Sequence, residues 1–407
     1  MKEESHLIIH KIREYSIPLI IGVVVSIVWK NLSPESYDTV VFTPIFGEHI
    51  DLHFLVNDVF MVFFFAVAGI EIVHSLMPGG VLFPVKRAVL PLMSTLGGVL
   101  GPVIVFFALN TAFGSADFVS GWGICTATDI ALSWLLARII FGAHHPAVNF
   151  LLLLAVADDG IGMFVIAVFY PDPNVPAEYG WLLLIAAGMG VAYILRRLRV
   201  RNWAIYVFCA GILSWIGLYN AHLHPALALI FIVPFIPASE DRKSKSELEG
   251  GARTHELLAI DRCKNSLSPF VDFGLIFFGI TNAGVQFSAI SSLTWIVCIS
   301  LIVGKTLGIV LFSRIATLLS FKPPEHVGFK ETCVIGLIAG AGLTVALFVA
   351  GVAFTDQTLQ ISAKMGALFS SAVFVIAPLL SKALKIKRID VAPNQPNGGE
   401  AVRTEDV

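Results

Sequence analysis

Long apolar runs, separated by short polar connections, fill most of the chain. A helix needs about 20 consecutive apolar residues to cross a bilayer, and most of these runs approach or reach that length. The pattern predicts an all-α polytopic membrane protein with about twelve transmembrane helices, segments one to twelve, of which the first and the eighth are short. The predicted segments lie near residues 16–30, 57–76, 88–110, 120–141, 147–170, 178–195, 203–218, 221–237, 267–286, 293–313, 331–353 and 361–381.

Positive charges divide the connections between these segments into two sets. All but three of the 27 Lys and Arg residues lie in the tails or in the even-numbered connections. Because cytoplasmic loops of membrane proteins are rich in Lys and Arg, this distribution favours the count of twelve and predicts that both termini lie in the cytoplasm. The exceptions are Lys305, inside segment ten, and Lys30 and Lys364, which are expected at outer helix ends.

Composition narrows the class of protein further. The chain of 407 residues is 56% hydrophobic and 14% charged, whereas soluble proteins have about 25% charged residues. No basic cluster has the aromatic neighbours that would indicate nucleic-acid binding. The five cysteines are widely spaced and show neither a metal-binding nor a disulfide pattern. We therefore expect one transporter-like domain over residues 1–389, embedded in the lipid bilayer.

Three stretches lie outside the predicted segments. The pattern over residues 37–53 is not helical and predicts a short outer hairpin around Phe46-Gly47-Glu48, which acts either as a lid or as a contact in a homodimer. Residues 238–262 form a charged linker, predicted to be cytoplasmic. The tail, residues 390–407, is rich in Pro, Asn and Gly and is predicted to be disordered.

Two adjacent carboxylates, Asp158 and Asp159, lie in the middle of segment five. Charged groups in hydrocarbon persist mostly where they face a cavity or a partner. Neighbouring residues on a helix point about 100° apart. One carboxylate can therefore line a water-filled site while the other meets a partner on a different helix. A purely structural ion pair would need only one of the two.

Lys305 lies in the middle of segment ten, where an ammonium group needs a carboxylate partner. Asp129, Asp158 and Asp159 lie at comparable depth and are the candidates. One cation against three carboxylates leaves spare acceptors, which bind either a proton or a metal cation. The charges therefore predict a proton-coupled cation exchanger, in which the two ions compete for one site.

Segments four and eleven each contain an interruption. Gly121 and Gly123 precede Thr128 and Asp129 in segment four, and Gly340-Ala341-Gly342-Leu343-Thr344 interrupts segment eleven. Glycines and hydroxyl groups loosen a membrane helix and free carbonyl groups for a cation, although such clusters also serve plain helix packing. Two interrupted helices in corresponding halves of a chain point to a transporter site at the centre of the membrane. A carboxylate at such a break balances the dipole of a half-helix.

Other titratable groups lie near the predicted ends of segments. Glu71 lies toward the cytoplasmic mouth of segment two, and Asp58 lies near its outer end. His222 and His224 begin segment eight, where a histidine either titrates near neutral pH or forms an interface hydrogen bond. Asp272, early in segment nine, is expected to have a structural role.

These residues together resemble the NhaA family of sodium–proton antiporters over about residues 15–381. The resemblance implies an inverted-repeat fold, of which NhaA is a standard example, with segments four and eleven broken and crossing. The most specific marks are Ala127-Thr128-Asp129-Ile130-Ala131, the Asp158-Asp159 pair, Asn282-Ala283-Gly284-Val285, Gly304-Lys305 with Leu307-Gly308, and Gly342-Leu343-Thr344.

The resemblance also implies a role for each polar residue of the membrane centre. Asp159 would be the main sodium carboxylate, helped by Thr128. Asp158 would exchange between a proton and Lys305, and Asp129 would compensate the helix dipoles at the crossing. Glu71 would lie in a cytoplasmic funnel, and His224 would contribute to the pH response.

The family's activity follows from the same resemblance. A member with two aspartates and a lysine would be electrogenic, with more protons entering than sodium ions leaving. The proton gradient would then drive Na+ or Li+ out through the inner membrane of a bacterium, without any cofactor.

Two departures from the NhaA pattern concern regulation. Ile72-Val73-His74 follows the funnel glutamate where the family has basic residues. Lys264, Asn265 and Ser268 replace a Glu-His…His group of the family that senses pH. We therefore expect a flatter dependence of activity on pH than the family shows. Lys264 is also a candidate partner for Asp272.

Other functions account for these residues less well. Intramembrane aspartyl proteases also use two aspartates, but they need Gly-x-Gly-Asp, and Gly160 and Gly162 follow the pair here. A sodium-coupled symporter of a small organic anion would not need Lys305 in the membrane centre. A channel does not fit a closed site with spare acids. Exchange of K+ instead of Na+ stays open as an alternative, because the residues do not separate these ions.

Overall fold

The computed structural model describes residues 16–45, 47, 50–77, 85–171, 176, 178–238, 258–324 and 326–389, and this part of the chain is almost entirely helical. Its helices are α1 (Ile17–Leu32), α2 (Pro34–Phe42), α3 (Leu52–Leu76), α4 (Val85–Phe113), α5 (Ala116–Thr126), α6 (Ile130–Phe141), α7 (Pro146–Phe169), α8 (Tyr179–Arg197), α9 (Trp203–Asn220), α10 (Pro225–Phe235), α11 (Ala259–Asn282), α12 (Ser292–Leu318), α13 (Phe329–Ala339), α14 (Thr344–Ala353) and α15 (Gln357–Ala383). Of these, α5 and α10 are wound as 3₁₀ helices.

The described helices make this chain a polytopic membrane protein. Seven of them, α3, α4, α7, α8, α9, α12 and α15, are long and apolar enough to cross a bilayer. The pairs α5–α6 and α13–α14 each qualify when taken together, and they bend by 56° and 50° between their two halves. The two bends lie between Thr126 and Ile130 and between Ala339 and Thr344, at the interruptions noted in segments four and eleven. A larger apolar core packs α3, α10, α11 and α14 together, and a smaller one lies among α6, α7, α13 and α15.

Glycines bring the backbones of α4 and α12 into contact beside Lys305. A Cβ atom on Gly97 would collide with the carbonyl group of Gly308, and one on Gly101 would collide with that of Gly304. Small residues at such crossings let membrane helices approach closely and gain dispersion energy. Because Lys305 follows Gly304 directly, this contact fixes the position at which its side chain enters the protein.

We expect Gly101→Ala to lower the free energy of unfolding by about 1–3 kcal/mol, because it overpacks this contact. The added Cβ would lie 2.8 Å from Gly308 Cα and closer still to the Gly304 carbonyl oxygen. Thermal unfolding of the purified protein in detergent measures the change. The matched control is Gly190→Ala on α8, where a Cβ meets no atom of the described chain within 4 Å. A Gly101→Ala protein that melts no earlier than this control would contradict the packing argument.

The predicted outer segment differs from the structure in its first part. The prediction that residues 37–53 are not helical was wrong for residues 37–42, which belong to α2, and for residues 52–53, which begin α3. Farther on, the Ile45 amide donates to the Ile50 carbonyl at 2.7 Å and closes a turn. Phe46, Glu48 and His49 lie outside the described residues.

Tertiary contacts explain why α2 is helical. Lys30 at the end of α1 pairs with Asp38 at 2.5 Å, and the Tyr37 hydroxyl donates to the Ile280 carbonyl on α11 at 2.6 Å. Burial raises the pKa of Tyr37 to about 12, so the phenol keeps its proton and stays a donor. These bonds outweigh the extended preference of the β-branched residues in this stretch.

Two further predictions from the sequence differ from the structure. Helix α11 begins at Ala259, so the last four residues of the predicted linker 238–262 are helical. Residues 239–257 and the tail 390–407 lie outside the described part of the chain. Lys364 was expected at a helix end, but it lies inside α15 and is buried.

Candidate ion-binding site

Helix α7 holds Asp158 and Asp159 near its centre, where both side chains are buried. Asp158 is 0% exposed and Asp159 is 7% exposed. In each carboxylate, Oδ1 has no hydrogen-bond partner in the part of the chain that the structure describes. An unsatisfied buried carboxylate oxygen is costly unless a proton or a cation binds to it. Each of the two buried carboxylates can therefore accept a proton or a cation at its Oδ1 atom.

Asp158 faces α12 and the break of segment four. Lys305 Nζ lies 2.5 Å from Asp158 Oδ2, and both side chains are fully buried. Thr128 Oγ1 lies 2.6 Å from the same oxygen and also accepts a hydrogen bond from Lys305. Of the three carboxylates that were candidates for Lys305, the structure thus selects Asp158.

Asp129 joins the two broken segments. Its Oδ1 accepts from the Leu132 amide at 3.1 Å and caps α6. Its Oδ2 accepts from the Thr344 hydroxyl at 3.1 Å and from the Thr344 amide at 3.3 Å, at the start of α14. The Asp129 amide in turn donates to the Ala341 carbonyl at 2.9 Å. A carboxylate at the N-termini of two half-helices lies where both dipoles favour negative charge.

Asp159 faces a cavity instead of Lys305. This cavity, the Glu71 cavity, has a volume of about 460 Å³ and is lined by Asp159, Thr128 and Asp129 at one end and by Glu71 and Lys264 at the other. The two neighbouring aspartates therefore point in different directions, as helical geometry requires. One meets a lysine, and the other meets a space large enough for several water molecules.

Lys264 is the ion-pair partner of Glu71. The Lys264 Nζ and Glu71 Oε1 atoms lie 3.0 Å apart, and Asp272 lines the same cavity. Beside this pair, His74 Nε2 lies 3.3 Å from Asp261 Oδ1. The sequence marked Lys264 as a departure from a family pattern and as a candidate partner for Asp272, and it contained no signal for the pair with Glu71.

His224 lies in a different cavity. This second cavity, the Asp58 cavity, measures about 1030 Å³ and is lined by Asp58, Glu178, His222 and His224 among others. Asp58 and Glu71 are thirteen positions apart on α3, about 20 Å at the helical rise. The two cavities therefore lie toward opposite ends of α3. His224, at the start of α10, therefore lies far from Glu71, and its role in the pH response stays a prediction.

Aromatic rings lie between the two cavities. Phe348 on α14 packs edge-on against Phe65 at 5.5 Å between ring centroids and against His224 at 6.0 Å. Phe348 is one helical turn beyond Thr344, which lines the Glu71 cavity. Asp159 therefore faces the Glu71 cavity, and neither aspartate lines the Asp58 cavity.

Comparison with known proteins decides the family. The sequence model of the family described as "Na+/H+ antiporter 1" matches residues 7–381. The chain belongs to this family. The resemblance to NhaA antiporters, which rested on short motifs, is thereby confirmed.

Relatives in the Na+/H+ antiporter 1 family match almost the whole chain. The Na(+)/H(+) antiporter NhaA of Desulfitobacterium hafniense is 57% identical over 381 residues, covering 94% of this chain and 97% of the relative. The Na(+)/H(+) antiporter NhaA of Geobacter sulfurreducens is 53% identical over 381 residues, covering 94% and 99%. These relatives are named as transporters, which agrees with the expectation that the chain is not an enzyme.

A solved structure shares the fold. The sodium proton antiporter MjNhaP1 from Methanocaldococcus jannaschii superimposes with a TM-score of 0.54, covering 91% of this chain and 92% of that one. At 15% sequence identity, this likeness concerns the fold alone. It agrees with an all-helical polytopic membrane protein.

Proposed function

We propose that this chain is an antiporter of a bacterial inner membrane that exchanges cytoplasmic Na+ or Li+ for external H+. The observation that supports the proposal is that two adjacent aspartates face different surroundings. Asp158 pairs with buried Lys305, while Asp159 faces a cavity, and each carboxylate keeps an oxygen without a hydrogen-bond partner among the described residues. Membership of the Na+/H+ antiporter 1 family supports the choice of ions.

The charges explain how one ion excludes the other. The N-termini of α6 and α14 offset the charge of Asp129. The remaining buried carboxylates, Asp158 and Asp159, face one buried ammonium, so one further positive charge neutralises the group. A cation bound at Asp159, with help from Thr128 and Asp158, supplies that charge, and so does a proton. If the cation and the proton bound together, the buried group would carry an excess positive charge. The competition couples the two flows.

The Asp158–Lys305 pair makes the exchange electrogenic. When Na+ binds to Asp158, the Lys305 ammonium loses its carboxylate partner, and a proton held by this pair leaves as Na+ enters. When Na+ leaves, Lys305 recovers both the proton and the carboxylate. In such a cycle one proton enters on Lys305 and another on Asp159 while one Na+ leaves. More positive charge therefore enters than leaves.

Three further helices complete the membrane domain over residues 1–389. Helices α1, α10 and α11 cross the membrane in addition to the nine spans counted above, which makes twelve. Helices α4–α7 and α12–α15 form inverted repeats, whose broken members cross where the Asp129 amide bonds to Ala341. The stretch over residues 37–53 is a candidate contact for a homodimer.

The orientation follows from the positive charges. Both termini and the Lys/Arg-rich connections lie in the cytoplasm. On that assignment the Glu71 cavity opens to the cytoplasm and the Asp58 cavity to the outside. An inward-open state fits this orientation, because Asp159 lines the Glu71 cavity and does not line the Asp58 cavity.

Proteoliposomes containing the purified chain test the function. We expect Na+ and Li+ to collapse an imposed pH gradient, and K+ to do so much less. An equal response to K+ would make the protein a K+/H+ exchanger. No response to any alkali ion, together with Na+-dependent uptake of an organic anion, would favour the symporter.

We expect the rate of exchange to vary smoothly with pH. Lys264, Asn265 and Ser268 stand where the family has a Glu-His…His group, so these positions lack the histidines that change charge near neutral pH. Initial rates of Na+-driven proton movement, measured in vesicles across that range at saturating Na+, check the expectation. A sharp onset of activity at alkaline pH would contradict it.

A further inference from the structure

Two salt bridges lie across the mouth of the Glu71 cavity. Glu71 and His74 are three positions apart on α3 and so share one face of the helix, as Asp261 and Lys264 do on α11. Lys264 Nζ lies 3.0 Å from Glu71 Oε1, and His74 Nε2 lies 3.3 Å from Asp261 Oδ1. Each helix contributes one acid and one base, so the two pairs connect α3 with α11 next to the opening.

Lys264 is unusual among the residues that line this cavity. Of the described lining residues, four are acidic and Lys264 is the one Lys or Arg. A cation that enters here meets a positive charge on its way toward Asp159. The Lys264 ammonium and the incoming ion are both positively charged, and the Glu71 carboxylate attracts both of them.

The Glu71–Lys264 pair is open to exchange. The Lys264 side chain is 33% exposed and that of Glu71 is 31% exposed, so water reaches both. Ion pairs that are accessible to water contribute little net stability, because each partner is solvated when the pair opens. A hydrated cation can therefore take the place of the ammonium beside Glu71.

We propose that Lys264 is a tethered competitor of the transported cation, which occupies Glu71 and raises the apparent KM for Na+ on the side where this cavity opens. The inference rests on the proposed antiport function and adds a residue that sets cation affinity. Lys264 acts at the mouth, whereas the ion-pair partner of Asp158 is Lys305. It therefore affects entry of the cation and leaves the exchange step unchanged.

This role predicts a specific kinetic signature. We expect Lys264→Gln to lower the KM for Na+ by about fivefold, with kcat within about twofold of the unaltered protein, because removing one positive charge raises the local cation concentration. The difference in KM should shrink in concentrated choline chloride, since screening shortens from about 10 Å at 0.1 M salt to about 3 Å at 1 M. A role in folding alone would not produce a change in KM that depends on salt.

The experiment uses everted membrane vesicles, in which added Na+ reaches the cytoplasmic face directly. Lys264→Arg keeps the charge and should keep the KM. Lys330→Gln is the matched control, because it removes an exposed lysine on α13 outside the cavity and should change neither constant. A KM for Lys264→Gln that is unchanged or higher would overturn the proposal, as would an equal decrease in the Lys330→Gln control.

A second comparison keeps the test valid if Lys264→Gln does not fold. Glu71→Gln and Glu71→Gln/Lys264→Gln differ only in the lysine, and neither contains the ion pair. We expect the double variant to have the lower KM of the two, and an equal KM would overturn the proposal. Failure of the function itself looks different, because the unaltered protein would then show no Na+-dependent proton movement at all.

Discussion

Asp159→Asn is expected to abolish Na+-driven proton movement. The substitution keeps the shape of the side chain but removes the negative charge that faces the Glu71 cavity. Na+ would lose its principal carboxylate, and the site would lose an exchangeable proton. A loss of about 3 kcal/mol in cation binding corresponds to about a hundredfold in affinity. Since the residue is needed by both ions, raising the Na+ concentration should not restore exchange.

Proteoliposomes with matched protein content measure this effect through the collapse of a pH gradient on addition of Na+. Isothermal calorimetry of the detergent-purified variant should also show no Na+-dependent heat. Asp117→Asn is the control, because this aspartate is exposed at the start of α5. Retained Na+-dependent proton movement in the Asp159→Asn protein would remove Asp159 from the site.

The charged residues of the membrane centre were recognisable from the sequence, because charged residues in apolar segments are rare and costly. Asp158, Asp159 and Lys305 could be recognised without any knowledge of tertiary contacts. The breaks in segments four and eleven were predictable for a similar reason, since glycines followed by Thr and Asp favour an interrupted helix.

The pairing of these charges could not be predicted from the sequence. Three carboxylates were equivalent candidates for Lys305, and only the tertiary arrangement of α7 and α12, which both pack on α4, brings Asp158 to 2.5 Å from the ammonium. That packing depends on glycine contacts between α4 and α12, which are distant in sequence. In the same way, the partner of Glu71 depends on how α11 lies beside α3.

Local patterns were misleading where long-range bonds decide the conformation. Residues 37–42 resemble a strand because of Val40 and Val41, yet the bonds of Tyr37 and Asp38 to other helices hold them in α2. Glu71 and His224 line different cavities, and no local pattern indicated which cavity either of them would reach. Sequence predicts which residues carry charge in the membrane more securely than it predicts which cavity they reach.

Lys305→Ala is expected to have two effects that can be separated. The variant leaves Asp158 buried without its ammonium, and breaking one side of a buried ion pair costs about 3–5 kcal/mol if the charge remains. Asp158 can avoid part of this cost by keeping a proton. The protein should therefore melt at a lower temperature, and any remaining exchange should no longer respond to membrane potential.

A double variant distinguishes these effects from general damage to the fold. In Asp158→Asn/Lys305→Ala both charges are absent, so no unpaired carboxylate remains, and we expect at least about half of the lost stability to return. Thermal unfolding in detergent measures the stability, and Na+ efflux under an imposed potassium diffusion potential measures the response to voltage. Lys382→Ala, an exposed residue near the end of α15, is the control for both. If Lys305→Ala exchange still accelerates with voltage, the extra charge does not travel through this lysine, and the Asp158–Lys305 pair serves only to hold α7 and α12 together.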